Sequence, residues 1–221
     1  PYTGHNLAEL DDSDWSVRLK IASAEKPEGV WVRLPDYSMV NDDKADEVEL
    51  ALLELKADTI QECTLLDARC VLPEVKDLVS EYREVADLIY DGNDLGFLLD
   101  EQGQGLPHFS EKLHAALAYE KCTRLGAALD IAQNLRCYDF VPKEEVESFA
   151  GKYLESRGIE EGHVSLISAC MDRESYGRYL LAQQGYQQHA ASGSFIRRNQ
   201  LDFCYERSQP PAPQAHFEMK R

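Results

Sequence analysis

Carboxylates are the most abundant side chains in this sequence that could carry out chemistry. The 221 residues include 40 Asp and Glu against 23 Lys and Arg, which gives a formal net charge of -17. Two carboxylates held close together can act as a general acid and base, or can bind a metal ion. Acidic pairs occur along most of the chain, however, so no pair stands out. We favour solvated carboxylates over the alternative of a metal-dependent nuclease.

Motifs that mark common catalytic and cofactor sites are missing from the sequence. It contains no GxSxG nucleophile elbow and no phosphate-binding loop of the GxxxxGK[ST] or GxGxxG type. The six histidines form no HExxH, and the six cysteines form no CxxC pair. We therefore expect no enzyme activity, no cofactor and no metal site. Scattered cysteines without a disulfide framework favour reduced thiols in the cytoplasm.

The acidic residues are concentrated in the first half of the chain. Residues 1–102 hold 25 acidic and 9 basic side chains, whereas residues 103–221 hold 15 and 14. A surface with this much negative charge repels the phosphates of DNA and RNA, so we expect no direct nucleic-acid binding. The first half is better suited to a basic partner.

One predicted helix places its acids in a row. Residues 74–90 have apolar side chains at the spacing of a single helix face, and five acids from Asp77 to Asp91 project from the other side. At 1.5 Å per residue the row is roughly 21 Å long, with one charge every ~5 Å. One strand of B-DNA has a phosphate every ~3.4 Å of axis. The row could therefore imitate phosphates, and the alternative is an ordinary solvated helix face.

Further acids extend this predicted partner-binding surface onto neighbouring elements. A second acidic helix is predicted over residues 42–57, with Asn41 or Asp42 as its N-cap. The complete set of predicted phosphate-mimicking acids is Asp43, Glu47, Glu54, Glu74, Asp77, Glu81, Glu84, Asp87, Asp91, Asp94, Asp100 and Glu101.

Hydrophobic periodicity predicts an α+β fold with an elongated arrangement of about three small domains. Alternating residues predict a hairpin of strands 16–22 and 30–34, followed by one or two strands in 59–71. Helices are predicted at 94–100, 109–119, 126–133, 143–157 (closed by Gly158) and 170–184, with a strand at 135–141. A last hairpin is predicted from 194–198 and 201–205.

These elements suggest domain boundaries and a dimer contact. We predict a loose segment at 1–13, an α+β domain at 14–72, an acidic helical domain at 73–124, an α+β domain at 125–207 and a proline-rich tail at 208–221. The last domain is nearly neutral, so self-association there meets little repulsion. Its hairpin supplies the predicted dimerisation residues Phe195, Ile196, Leu201 and Phe203.

Several blocks in the second half resemble the antirestriction protein ArdA family. They are residues 134–142, Gly151 to Leu154, 174–180 with its Tyr-Gly-Arg, and Gly193 to Ile196, in the order that the family shows over residues 126–206. The segment 29–35 is similar to the family's opening strands. The resemblance implies three small α+β domains, a homodimer and an acidic surface that imitates B-DNA. It also implies binding to type I restriction-modification enzymes without a cofactor.

One alternative function of the same kind is an acidic decoy or adaptor that inhibits another DNA-binding protein, such as a CRISPR nuclease or a repressor. A catalytic domain is the third alternative. The sequence contains no apolar run of the ~20 residues needed to cross a bilayer, so no membrane association is expected.

Overall fold

A computed structural model describes residues 15–41, 44–103 and 105–204. Over these ranges the chain is α+β, as predicted, with eight α-helices and two three-stranded antiparallel sheets. The strands are β1 Val17–Ala22, β2 Val30–Leu34, β3 Thr64–Cys70, β4 Tyr138–Val141, β5 Gln187–Gln188 and β6 Phe195–Arg198. The helices are α1 Glu47–Leu55, α2 Leu78–Glu81, α3 Val85–Gly103, α4 Phe109–Tyr119, α5 Leu125–Gln133, α6 Val146–Ser156, α7 Glu161–Cys170 and α8 Arg173–Gln183.

The first sheet has β1 at its centre, paired with β2 on one side and β3 on the other. The predicted hairpin is confirmed, with Val17 opposite Leu34 and Ile21 opposite Val30. Alternation along β1 buries Val17, Leu19 and Ile21 on the inner face. The intervening residues 18 and 20 therefore lie on the outer face.

Helix α1 begins later than predicted. Its N-cap is Asp46, whose side chain accepts a hydrogen bond from the backbone N–H of Glu49 at 2.7 Å. The predicted start at residue 42, with Asn41 or Asp42 as the cap, is therefore wrong. An aspartate that reaches the third N–H of the helix satisfies a donor that has no partner within the helix, and Asp46 is the residue in that position.

The single helix predicted over residues 74–90 is divided in two. The short helix α2 ends at Glu81, Tyr82 has an extended backbone (φ −107°, ψ 127°), and α3 begins at Val85. Helix α3 then continues for 19 residues, through the separate helix predicted at 94–100. Side chains at the break have partners elsewhere in the fold. Glu81 binds the start of α5 and Tyr82 binds Asp91, so tertiary contacts override the helical periodicity here.

Helix α3 lies directly against the inner face of the first sheet because it has glycines at the contact. A Cβ atom added to Gly92 would be 2.5 Å from Leu34 Cδ1, and one added to Gly96 would be 2.3 Å from Pro35 Cδ. The hydroxyl of Ser16 donates to the carbonyl oxygen of Gly92 at 2.7 Å. The glycine spacing of four residues puts both on one face of α3, so the helix backbone can approach the strands.

The second sheet differs from its prediction. Strand β6 is central and pairs with β4 and β5, whereas residues 201–204 form no strand. The hairpin predicted between 194–198 and 201–205 is therefore wrong, at least over its described residues. Strand β4 supplies the pairing instead, with Phe140 opposite Ile196. The backbone N–H of Cys204 donates to the Asn134 side chain at 2.7 Å, which ties down the segment after β6 in another way.

The helices in the second half of the chain also differ in part from those predicted. The sequence did not predict α7, and the helix predicted over 170–184 begins at Arg173 with Asp172 as its N-cap. The end of the helix predicted over 143–157 is confirmed, because α6 stops before Gly158 and this glycine has φ +80°. A left-handed glycine just past the last turn is a common helix termination.

One buried cluster of apolar side chains extends from Trp15 to Ile196. It contains residues from all three predicted domains, so the predicted boundaries at 72/73 and 124/125 do not coincide with gaps in the core. A smaller cluster contains Val141, Val146, Leu181 and Phe195, between the second sheet and helices α6 and α8. None of the described helices is both long and apolar enough to cross a bilayer.

The contact between α3 and the sheet predicts opposite effects of the same substitution at two helical glycines. Gly96→Ala should lower the free energy of unfolding by about 1–3 kcal/mol, because its Cβ would overlap the rigid ring of Pro35. Gly151→Ala in α6 meets no atom within 4 Å and should raise stability by up to about 1 kcal/mol. Urea unfolding of both variants measures this. If both substitutions changed the stability equally, the packing of α3 on the sheet would not require a glycine at position 96.

Candidate partner-binding surface

One face of α3 carries a row of carboxylates, which we call the α3 row: Asp87, Asp91, Asp94 and Glu101. Their spacings of four, three and seven residues keep them within one side of the helix. The opposite side contains the buried residues Leu88, Leu95 and Leu99. The row therefore faces away from the core and is roughly 21 Å long at 1.5 Å per residue.

Members of the α3 row differ in how freely they can meet a partner. Asp87 and Glu101 are exposed, whereas Asp91 and Asp94 are half-buried. The Tyr82 hydroxyl donates to Asp91 at 2.6 Å, and burial together with this carboxylate raises the pKa of Tyr82 above its ordinary value. Asp100 points elsewhere and accepts a hydrogen bond from the Tyr37 hydroxyl at 2.8 Å.

Glu81, at the middle of the row predicted from the sequence, has a structural role. Its side chain is only 7% exposed and lies 3.4 Å from the Arg124 guanidinium. Its carboxylate accepts hydrogen bonds from the backbone N–H groups of Leu125 at 2.9 Å and Gly126 at 3.4 Å. These are orphan donors at the positive end of α5, where a carboxylate is favourable. Glu81 is thus a helix cap contributed from a distant part of the chain.

Glu74 is also engaged inside the fold. Its Oε1 is 2.9 Å from Nδ1 of His114, and both side chains are mostly buried, at 19% and 13% exposure. Burial opposes ionisation of Glu74, but the hydrogen bond and the charge of His114 outweigh it and hold the pKa of this carboxyl below its usual range. Glu74 therefore links the segment after β3 to α4, and its inward position does not suit phosphate mimicry.

The remaining predicted acids divide into paired and exposed groups. Glu47 binds Arg33 at 2.6 Å and Glu54 binds Lys26, so basic neighbours offset their charges. Asp77 and Glu84 are exposed, but they lie outside helices, just before α2 and just before α3. The five-acid row predicted on one continuous helix is therefore wrong in its geometry. Asp43 lies outside the described residues.

Two of the four predicted dimerisation residues lie inside the protein. Phe195 is 4% exposed and Ile196 is 1% exposed, since β6 is the central strand of its sheet. Leu201 is 52% exposed. Phe203 is half-buried beneath the guanidinium of Arg198, whose carbon is 4.2 Å from the ring centre. Of these four predicted residues, only Leu201 and part of Phe203 could contact another copy without rearrangement.

An open cleft of about 490 Å³ lies at the N-terminal end of the α3 row. Besides Asp87 and Asp91, it is lined by Tyr82, Tyr90, Glu81, Arg83, Arg124 and Gly126. Tyr90 is 61% exposed and lies next to the row. Helical periodicity predicts this tyrosine only as the last residue of the helix over 74–90, whereas its place beside Asp91 in a strongly acidic segment is the signal that marks it.

Other chemistry finds little support among the described residues. They include no cluster of three or more His, Cys, Asp or Glu placed to hold a metal ion. Burial raises the pKa of Cys70 to about 12 and that of Cys122 to about 11, which disfavours a nucleophilic thiolate at either position. The exposed carboxylates remain the principal chemical feature of the surface.

Comparisons with known proteins found no match for this chain, either among protein-family models or among curated proteins and solved structures.

The different environments of two nearby acids predict different stability effects. Glu81→Ala should lower the free energy of unfolding by about 1–3 kcal/mol, because two N–H groups of α5 lose a charged acceptor. Glu84→Ala removes an exposed carboxylate and should change stability by less than about 0.5 kcal/mol. Thermal or urea unfolding of the two variants measures both changes in stability. If Glu81→Ala left the free energy of unfolding unchanged, Glu81 would not be a cap of α5.

Proposed function

We propose that the protein is an antirestriction DNA mimic whose α3 row takes the place of phosphates in the DNA-binding groove of a type I restriction-modification enzyme. The observation that carries this proposal is the row itself. It has four carboxylates on the outward side of one helix, with a buried apolar side opposite. An imitation of DNA needs a row of negative charges on a firm support.

The spacing of the row is compatible with groups that grip a DNA backbone. Successive carboxylates from Asp87 are separated by about 6, 4.5 and 10.5 Å along the helix axis. Phosphates on one strand of B-DNA follow at ~3.4 Å of axis, so about three phosphate steps cover the longest gap. Arginine and lysine side chains reach several ångströms and would accommodate such differences.

The support of the row is rigid, which favours binding. Helix α3 is held by the glycine contacts with Leu34 and Pro35, and by the hydrogen bond from Ser16. The side-chain carbonyl of Asn93 also accepts from the backbone N–H of Asp36 at 2.7 Å. A pre-organised surface loses little conformational entropy on association.

The net negative charge of the first half of the chain should accelerate association and favour basic partners. Residues 1–102 carry a net charge of −16, and such a field steers the chain toward basic grooves. The resemblance to the ArdA family favours type I enzymes as the target and a homodimer as the working form. Another DNA-handling protein of the cytoplasm, such as a CRISPR nuclease or a repressor, is the alternative target under the same mechanism.

A competition experiment with matched charge changes tests the proposal. The row variant combines Asp87→Asn, Asp94→Asn and Glu101→Gln, and the control combines Glu25→Gln, Glu28→Gln and Glu49→Gln, which are exposed acids elsewhere. Both carry three fewer negative charges. We expect the wild type to displace duplex DNA from a type I methyltransferase. The row variant should need roughly 100-fold more protein, since each lost charge-assisted contact contributes about 1 kcal/mol or more.

The control variant should displace DNA within about threefold of the wild type, because screened charges outside the contact contribute little. Melting curves of both variants confirm that the fold is intact. Equal losses in the two variants would show that bulk charge, and not the α3 row, is responsible. Failure of the wild type to displace DNA from any type I, CRISPR or repressor complex would contradict the proposed function.

A further inference from the structure

The outer face of the first sheet has the opposite character from α3. Antiparallel register places Arg18 directly opposite Arg33 on β2 and opposite Arg69 on β3. Two residues further along β1, Lys20 lies between Trp31 and Asp67. Since side chains at this spacing share one side of a sheet, these groups lie together. Six side chains make up this surface, which we call the cationic sheet face: Arg18, Lys20, Trp31, Arg33, Asp67 and Arg69.

Trp31 is the aromatic centre of the cationic sheet face. Its ring is 37% exposed. The guanidinium carbon of Arg18 is 5.2 Å from the ring centre, and that of Arg69 is 5.5 Å away. Both distances are within the range of cation–π attraction, which holds the two arginines beside the indole. The face therefore combines a partly exposed indole ring with guanidinium groups that are held beside it.

The face gathers basic side chains although the half of the chain around it is strongly negative. Its four cations include Arg33 and Arg69, each with a carboxylate beside it: Glu47 lies 2.6 Å from Arg33 and Asp67 lies 3.8 Å from Arg69. These four cations come from a total of nine basic residues in residues 1–102. Their concentration on one side of one sheet is unlike the scattered placement that only serves solubility.

The acidic groups of α3 are too distant to cancel this local charge. Helix α3 packs on the inner face of the sheet, and its carboxylate row lies on the side of the helix away from the strands. The row is thus separated from the sheet by about one helix diameter, ~10 Å. The Debye length at physiological ionic strength is ~8 Å, so the field of the row is largely screened at the sheet.

We propose that the cationic sheet face binds single-stranded nucleic acid, with a base stacked on Trp31 and phosphates held by Lys20 and Arg69. Sequence-tolerant single-strand binding needs aromatic side chains for the bases and a cationic path for the backbone. Three strands at ~4.8 Å cover a width of about 10 Å, enough for about two or three nucleotides. Such a site goes against the expectation, drawn from the net charge, that the chain binds no nucleic acid directly. It accepts single strands and not duplexes, because a duplex keeps its bases stacked inside.

The two tryptophans of the chain provide a direct test. Trp15 is buried and Trp31 is exposed, so a base that stacks on the face should quench the emission of Trp31. The probe is a single-stranded oligothymidine of about ten nucleotides at ~0.15 M salt, where the α3 row is screened. We expect saturable quenching with the single strand and none with a duplex of the same length. The same oligonucleotide with a dye label should show a matching rise in anisotropy.

Substitutions distinguish the contribution of base stacking to binding from the contribution of the cationic side chains. Trp31→Ala should weaken oligonucleotide binding by roughly 10- to 100-fold, the loss expected for one stacked base, and Trp31→Phe should restore most of it. Lys20→Gln with Arg69→Gln should weaken it by at least about tenfold. The matched control, Lys76→Gln with Arg83→Gln, removes an exposed lysine and arginine elsewhere and should change it by less than about threefold.

Several results would overturn the inference. One is the absence of quenching and anisotropy change at millimolar oligonucleotide. Another is an equal loss of affinity in the control pair. If polyglutamate displaces the oligonucleotide at equal charge concentration and Trp31→Phe and Trp31→Ala bind alike, the face is a site for acidic polypeptides and the inference is wrong. None of these results depends on whether the α3 row displaces duplex DNA.

Discussion

The close approach of α3 to the first sheet is the constraint on which the other features depend. Gly92 and Gly96 let the helix backbone reach Leu34 and Pro35, where any larger side chain would push it away. The Ser16 hydroxyl then bridges the two layers by donating to the Gly92 carbonyl oxygen at 2.7 Å. Because the helix covers the inner side of the sheet, its acidic row and the cationic sheet face must look in opposite directions. One packing contact thereby fixes two surfaces of opposite charge.

Negative charge serves two purposes in this chain, and burial distinguishes them. Glu81 and Glu74 accept hydrogen bonds from α5 and His114 and tie distant segments together. Asp87 and Glu101 are exposed and available to a partner. A buried carboxylate with good donors is costly to lose, whereas an exposed one contributes little to stability. The buried acids therefore serve the fold, and the exposed acids are available for binding.

Local signals in the sequence predicted much of the fold but not the arrangement of the acids. The first hairpin, α4, α5 and the stop at Gly158 follow from alternation, helical periodicity and a left-handed glycine. The break after Glu81 depends on contacts with residues more than forty positions later, which no short window contains. Strand β6 similarly pairs with β4, far back in the sequence, and not with the segment that follows it. The row was therefore assigned to the wrong stretch of helix, although Asp87, Asp91, Asp94 and Glu101 were among the predicted residues.

Hydrogen exchange on the complex with a type I methyltransferase tests the central claim, that the α3 row occupies the site of DNA, most directly. On the enzyme, we predict that this protein and a duplex protect the same peptides from exchange. On this chain, peptides covering residues 85–103 should gain protection, and those from β1 and β2 on the opposite side should not. Protection of an enzyme surface that duplex DNA leaves unchanged, with α3 exchanging as in the free protein, would contradict the account.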